Sequence, residues 1–131
     1  MIVVDTNVLA YLFLPGPRSG NAEALLLQHP EWAAPVLWRS EFRNVLAGFM
    51  RRGALSLEQA RSTIEEAEGL MAGAEFDVDS RDVLELVDRS RCSAHDCEFV
   101  ALANRLQTRL FTADAALLAA FPASVSPLPS A

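Results

Sequence analysis

Short apolar runs alternate with longer segments of helical periodicity along this chain, and the alternation limits the folds open to it. Ile2–Val4, Ala33–Val36 and Arg109–Thr112 have the length and composition of buried strands, and Phe76–Val78 is a weaker candidate. Short strands separated by helical segments are typical of βαβ units, whose parallel strands are covered on both faces. We therefore predict a single α/β domain over residues 1–131, with three α/β/α layers and a mostly parallel sheet.

The clearest helical pattern covers Leu37–Arg52, where apolar residues recur at steps of three and four and Gly53 follows as a C-terminal stop. A second helix is predicted from Ser56 to Met71, because Ser56 and Gln59 have the spacing of a capping box. The remaining predicted segments are helices at Val8–Leu14, Ala22–His29, Asp79–Arg89, Cys97–Leu106 and Asp114–Phe121, and a loose strand or extended coil after Pro122.

Three aspartates stand at the ends of predicted elements. Asp5 follows the first strand, Asp96 opens a predicted helix, and Asp114 follows the strand that ends at Thr112. In parallel α/β sheets, ligands bind beyond the carboxyl ends of the strands, where such residues converge. Each aspartate taken alone is equally well explained as a helix N-cap.

Glu41 needs a different explanation, because it borders the apolar stripe of the predicted helix Leu37–Arg52. A carboxylate there is costly unless it pairs with an arginine or binds a cation. Four carboxylates directed at one end of a sheet repel one another, and a hard divalent cation such as Mg²⁺ or Mn²⁺ relieves that repulsion. Such a cation suits the hydrolysis of phosphodiester bonds.

The net charge and the types of basic residue argue against several classes of protein. The net charge is −6, and all 11 basic residues are arginine. This balance counts against a nucleic-acid partner without excluding one, because four of the 17 acidic residues are candidate metal ligands. The absence of lysine and of a glycine-rich phosphate loop argues against receiver domains, haloacid-dehalogenase-like phosphatases and P-loop proteins.

Two cysteines, Cys92 and Cys97, are too few for a disulfide framework and suit a reducing compartment. A zinc site needs four ligands, and only His95 and His29 are available beside them. No signal peptide and no apolar stretch of ~20 residues is visible, so we expect a soluble, cytoplasmic protein with no membrane partner.

Four motifs in this order resemble those of the PIN-domain family, and within it of the VapC toxins of bacterial toxin–antitoxin pairs. The resemblance spans essentially the whole chain, and the four motifs are specific only together. They are Ile2-Val-Val-Asp-Thr-Asn7, Glu41-Phe-Arg-Asn44, Ser93-Ala-His-Asp96 with Phe99-Val-Ala-Leu-Ala103, and Leu110-Phe-Thr-Ala-Asp114.

The resemblance implies a five-stranded parallel sheet and an Mg²⁺- or Mn²⁺-dependent endoribonuclease that cuts RNA, with tRNA among the candidate substrates. It also implies a homodimer and an adjacent antitoxin of the VapB type. By this likeness Asp5, Glu41, Asp96 and Asp114 are the catalytic metal ligands. The residues implied to orient those carboxylates or to contact substrate are Thr6, Asn7, Asn44 and Thr112.

Three further expectations concern substrate and partners. Arg39 and Arg43 flank Glu41 and are candidate phosphate contacts, and His95 stands where many relatives carry a tyrosine. An apolar surface for the dimer is suggested by Trp38, Phe42, Phe49, Met50 and the helix from Ser56, with core packing as the alternative. The alternative function is a non-catalytic PIN-fold module that binds RNA or a protein.

Overall fold

Five short parallel strands form the centre of the molecule. The computed structural model describes residues 1–131. The strands are β1 (Ile2–Val4), β2 (Trp32–Pro35), β3 (Glu75–Phe76), β4 (Leu110–Thr112) and β5 (Val125–Pro127). They lie in the order β3-β2-β1-β4-β5, and every neighbouring pair is parallel.

Seven helices cover the sheet. They are α1 (Thr6–Phe13), α2 (Ser19–Gln28), α3 (Trp38–Arg51), α4 (Leu57–Met71), α5 (Ser80–Asp88), α6 (Ala94–Arg105) and α7 (Ala115–Ala120). Helices α1 to α4 pack together as one layer, whereas α5 packs on α6, which lies against β1, β2 and β4. The predicted α/β/α architecture and the five-stranded parallel sheet are confirmed. None of the seven helices combines the length and hydropathy that a bilayer-spanning segment requires.

Strand β1 occupies the middle of the sheet because both of its faces are apolar. Val3 and Val4 are fully buried, and Val3 lies beside Ala33 on one side and Leu110 on the other. A continuous β-branched run of this kind is typical of a strand covered on both faces. Since β1 and β4 are parallel neighbours, the residues that follow them meet at the same edge of the sheet.

Most of the predicted boundaries shift, by up to three residues, whereas those of β1 are unchanged. Strand β2 ends before Val36, and β3 begins at Glu75 and ends two residues before Val78. The correction that affects the site concerns α6, which begins at Ala94 because the Ser93 hydroxyl accepts a hydrogen bond from the Asp96 N–H (3.1 Å). Asp96 is therefore the third residue of the helix and does not cap it.

Trp38 and Phe42 are core residues. Both side chains are fully buried, and their rings pack edge to face with centroids 5.7 Å apart. The alternative of core packing is thus confirmed for these two, and they cannot supply a dimer surface. Phe49 is half-buried beneath the guanidinium of Arg52, and of the four predicted residues only Met50 is exposed.

Candidate functional site

A polar cleft of about 440 Å³ opens at the carboxyl edge of the sheet, and all four predicted acids line it. The acids come from four segments that are distant in sequence: the start of α1, the first turns of α3 and α6, and the start of α7. The lining residues are Asp5, Thr6, Asn7, Leu37, Ser40, Glu41, Asn44, Val45, His95, Asp96, Phe99 and Asp114.

Asp5 lies deepest, between the end of β1 and the start of α1. Its Oδ1 accepts a hydrogen bond from the Val8 N–H (3.1 Å), which caps α1, and its Oδ2 accepts one from the Thr112 hydroxyl. The side chain is buried, and burial raises the pKa of Asp5 to about 6 despite these two bonds. The neighbouring carboxylates Asp96 and Asp114 add to the increase.

Asp114 is fixed by the N-terminus of α7. Its Oδ1 accepts from the N–H groups of Ala116 (2.8 Å) and Leu117 (3.2 Å), and its own N–H donates to the Thr112 hydroxyl oxygen (3.0 Å). Thr112 therefore joins Asp5 and Asp114 through one buried hydroxyl. N-capping accounts for the position of both aspartates and leaves Oδ2 of Asp114 without a partner in the chain.

Glu41 faces the cleft because of the helical period of α3. Trp38, Phe42 and Leu46 form the buried face, and the positions one residue earlier, including Glu41 and Val45, line the cleft. The Thr6 hydroxyl donates to Glu41 Oε1 (2.7 Å), and no arginine pairs with the carboxylate. Pairing with a buried arginine, the alternative at this position, does not occur.

Asp96 projects into the cleft from the first turn of α6. Since Ser93 caps the helix, the Asp96 carboxylate is free of that role, and burial and the charge of Asp114 raise its pKa. Two residues on, the pKa of Glu98 is also raised by burial and by Glu41, although Glu98 lines the neighbouring groove beside β3 and α5. The sequence motifs did not single out Glu98.

The structure does not bring Arg39 and Arg43 to the cleft. The Arg39 guanidinium binds Glu75 (Nε to Oε1, 2.6 Å) and Glu68 (Nη1 to Oε2, 2.7 Å), and Arg39 lowers the pKa of Glu75. Arg43 lies along a different groove, between α3 and α4. On a helix, residues two positions from Glu41 point about 200° away from it, which explains both placements.

Ser40 and His95 also line the cleft, beside the predicted Asn7 and Asn44. Ser40 was missed, although its spacing of four residues from Asn44 places both on one helix face. Thr6 is at the cleft wall, whereas Thr112 is buried behind Asp5. The cleft therefore combines carboxylates with neutral hydroxyl and amide groups and contains no arginine.

The spacing of the carboxylates suits a cation that keeps water ligands better than one surrounded entirely by protein ligands. No three carboxylate, imidazole or thiol side chains stand close enough together to hold one ion directly. Mg²⁺ accepts such an arrangement, because it retains several waters and takes only one or two carboxylates from the protein. The all-oxygen donor set favours a hard divalent cation, whose charge would also offset the burial of Asp5 and the smaller effects of Asp96 and Asp114 that raise its pKa.

The chain is similar in sequence to a known protein family and to a protein within the range of clear relationship. The PIN domain family matches residues 2–121. Ribonuclease VapC3 from Pyrobaculum aerophilum is 32% identical over 130 residues, covering 96% of this chain and 98% of that protein.

Solved structures share the fold at lower identity. The FitAcB crystal structure from Neisseria gonorrhoeae has a TM-score of 0.75 at 19% identity, covering 95% of this chain and 96% of that chain. A toxin–antitoxin complex from Klebsiella pneumoniae has a TM-score of 0.68 at 17% identity, covering 96% of each chain. VapBC2 from Rickettsia felis, bound to a DNA fragment from its promoter, has a TM-score of 0.67 at 14% identity, covering 98% of this chain and 100% of that chain.

The raised pKa of Asp5 predicts a pH-dependent cost to folding. The folded chain keeps the Asp5 proton up to about pH 6, and an unfolded chain only up to about pH 4. Stability from this group is therefore present at low pH and lost as pH rises from about 4 through about 6. Asp5→Asn, which keeps an acceptor for the Val8 N–H, should be more stable than wild type above pH 6, by up to about 3 kcal/mol.

Urea unfolding of both proteins in EDTA, at intervals from pH 4 to 8, measures this difference. The gain should grow between pH 4 and 6 and then level off. A difference in unfolding free energy that stays constant across this range, or a variant less stable than wild type at pH 8, would contradict the assignment.

Proposed function

This chain belongs to the PIN domain family, and we propose that it is a metal-dependent endoribonuclease that serves as the toxin of a VapBC-type toxin–antitoxin pair. The convergence of Asp5, Glu41, Asp96 and Asp114 on one cleft carries the proposal. Capping explains two of these acids, but it leaves Glu41 and Asp96 unexplained. Placing four carboxylates together is unfavourable for folding because their negative charges repel one another. A bound cation would offset that repulsion.

A divalent cation, Mg²⁺ or Mn²⁺, would be held by these four carboxylates, some of them through water. When bound, it supplies activation of a water molecule and neutralisation of charge on the phosphate. Asp5 would have to be ionised to hold a cation, so its proton would leave on binding and the affinity would fall at acidic pH.

The chain's own groups keep the carboxylates in place for this chemistry. The Thr112 hydroxyl and the Val8 N–H fix both oxygens of Asp5, and Thr6 orients Glu41. Groups that hold ligands in this way determine how well the site binds metal. The side chains of Asn7, Ser40 and Asn44 make no hydrogen bond within the chain, so their donors are free to bind phosphate oxygens.

RNA is proposed as the substrate because the relative at 32% identity is named a ribonuclease and aligns over nearly the whole chain. An acidic protein of net charge −6 binds a polyanion weakly through its surface alone. The bound cation and the neutral donors of the cleft would therefore provide most of the attraction for the scissile phosphate. Structured tRNA and single-stranded RNA are the first substrates to compare.

Two apolar grooves offer surfaces for an antitoxin and for a second copy of the chain. One runs between α3 and α4, where Met50 and Leu57 are exposed. The other lies beside β3 and α5, where Val36 and Leu84 are exposed. Contiguous exposed apolar surface is typical of protein interaction sites. We propose a VapB-type antitoxin and a homodimer, which sedimentation of the chain with and without the antitoxin would test.

The purified chain, freed of any partner, should cleave RNA only in the presence of Mn²⁺ or Mg²⁺. Asp96→Asn removes one of the four carboxylate charges and keeps the size of the side chain and an oxygen acceptor, and it should lower kcat/KM at least about 100-fold. Asp88→Asn, on the exposed face of α5, is the matched control and should retain activity. Cleavage of labelled tRNA and single-stranded RNA, with and without EDTA, measures both effects.

Cleavage that persists in EDTA, or that survives in Asp96→Asn, would contradict the metal-dependent mechanism. A folded wild-type chain that binds RNA but cuts none at any concentration of either metal would favour the non-catalytic binding module.

An antitoxin that inhibits by entering the cleft should present a basic side chain to the carboxylates. Its affinity, measured by calorimetry, should then fall at least about tenfold for Asp96→Asn, because one partner of a buried charge pair is lost. Excess Mn²⁺ should weaken the wild-type complex by competition. An affinity unchanged by both the substitution and Mn²⁺ would show that inhibition occurs outside the cleft.

A further inference from the structure

The cleft contains four polar side chains that make no hydrogen bond within the chain. Asn7, Ser40, Asn44 and His95 are all exposed, line the cleft and make no hydrogen bond or ion pair. By contrast, the Thr6 hydroxyl donates to Glu41, and the Thr112 hydroxyl donates to Asp5 and accepts from the Asp114 N–H. The free donors are thus separate from those that hold the carboxylates.

His95 differs from the other three free donors in its chemistry. It is the second residue of α6, one position before Asp96, and its imidazole supplies the only ring N–H donor among the residues that line the cleft. The two arginines nearest in sequence to Glu41 do not reach the cleft. Arg39 binds Glu68 and Glu75, and Arg43 lines the groove between α3 and α4. A phosphate entering the cleft would therefore meet neutral side-chain donors and no arginine.

We propose that His95 is a substrate-contacting residue, whose ring N–H donates a hydrogen bond to a non-bridging oxygen of an RNA phosphate held in the cleft. This inference rests on the proposed nuclease function and adds to it a residue that binds substrate independently of the metal. Hard cations prefer oxygen ligands, so the imidazole is left for the substrate. Its position beside Asp96 places that phosphate at or next to the bond that is cut.

An imidazole at the edge of a nucleic-acid cleft can also stack on a base, and two substitutions separate the two contacts. His95→Phe keeps an aromatic ring and removes the donor, whereas His95→Gln removes the ring and keeps a donor. His29→Phe is the matched control, because His29 lies outside the cleft and packs on Phe111. Circular dichroism and melting temperature establish that all variants are folded.

The kinetic experiment uses a labelled RNA oligonucleotide in Mn²⁺. Loss of a hydrogen bond to a charged phosphate should lower kcat/KM for His95→Phe about 10- to 100-fold, mainly through KM. His95→Gln and His29→Phe should stay within about threefold of wild type. Binding of a nuclease-resistant 2′-O-methyl RNA of the same sequence, followed by fluorescence anisotropy, should give the same order of affinities without any cleavage.

A neutral methylphosphonate at each linkage in turn then identifies the phosphate. One replacement should lower wild-type binding to the level of His95→Phe and have no further effect on that variant, which a structural role would not produce. Wild-type behaviour of His95→Phe, or an equal loss in His95→Gln, would overturn the proposal. Absence of wild-type cleavage would instead overturn the nuclease function, and the binding measurements would still decide the role of His95.

Discussion

Asp5 lies where the central strand ends and the first helix begins, and its buried carboxylate is the group around which the rest of the site is arranged. Strand β1 brings it to the carboxyl edge, the Val8 N–H and the Thr112 hydroxyl hold its two oxygens, and Thr112 also holds Asp114. The remaining two acids approach from helices that begin at the same edge. A shift of β1 by one residue would turn Asp5 away and separate it from β4.

The burial of Asp5 affects both the stability of the fold and the binding of a cation. Burial and neighbouring charges oppose ionisation of Asp5, so the metal-free fold carries an electrostatic cost at neutral pH. A cation in the cleft would remove that cost and stabilise the fold by binding only the native state. Burial of the hydrophobic core, which includes Trp38 and Phe42 of α3, stabilises the fold and offsets this electrostatic cost.

Much of this architecture was predictable because it follows from local patterns. The β-branched run before Asp5 and the period of α3 predicted the central strand and a carboxylate at the margin of the core. The roles of Arg39 and Asp96 were harder to predict. The partners of Arg39 are 29 and 36 residues away in sequence, and the Ser93 cap competes with a plausible Asp cap three residues later. The placement of Ser40, His95 and Glu98 depends on how α3 and α6 face each other, which no single segment determines.

Anomalous diffraction from crystals of the chain grown with Mn²⁺ would show whether the four carboxylates form a cation site. A cation site there predicts an anomalous peak in the cleft with oxygen ligands drawn from Asp5, Glu41, Asp96 or Asp114, and its disappearance in Asp96→Asn or after EDTA. A well-ordered, empty cleft at millimolar Mn²⁺, or a peak confined to another surface, would contradict it.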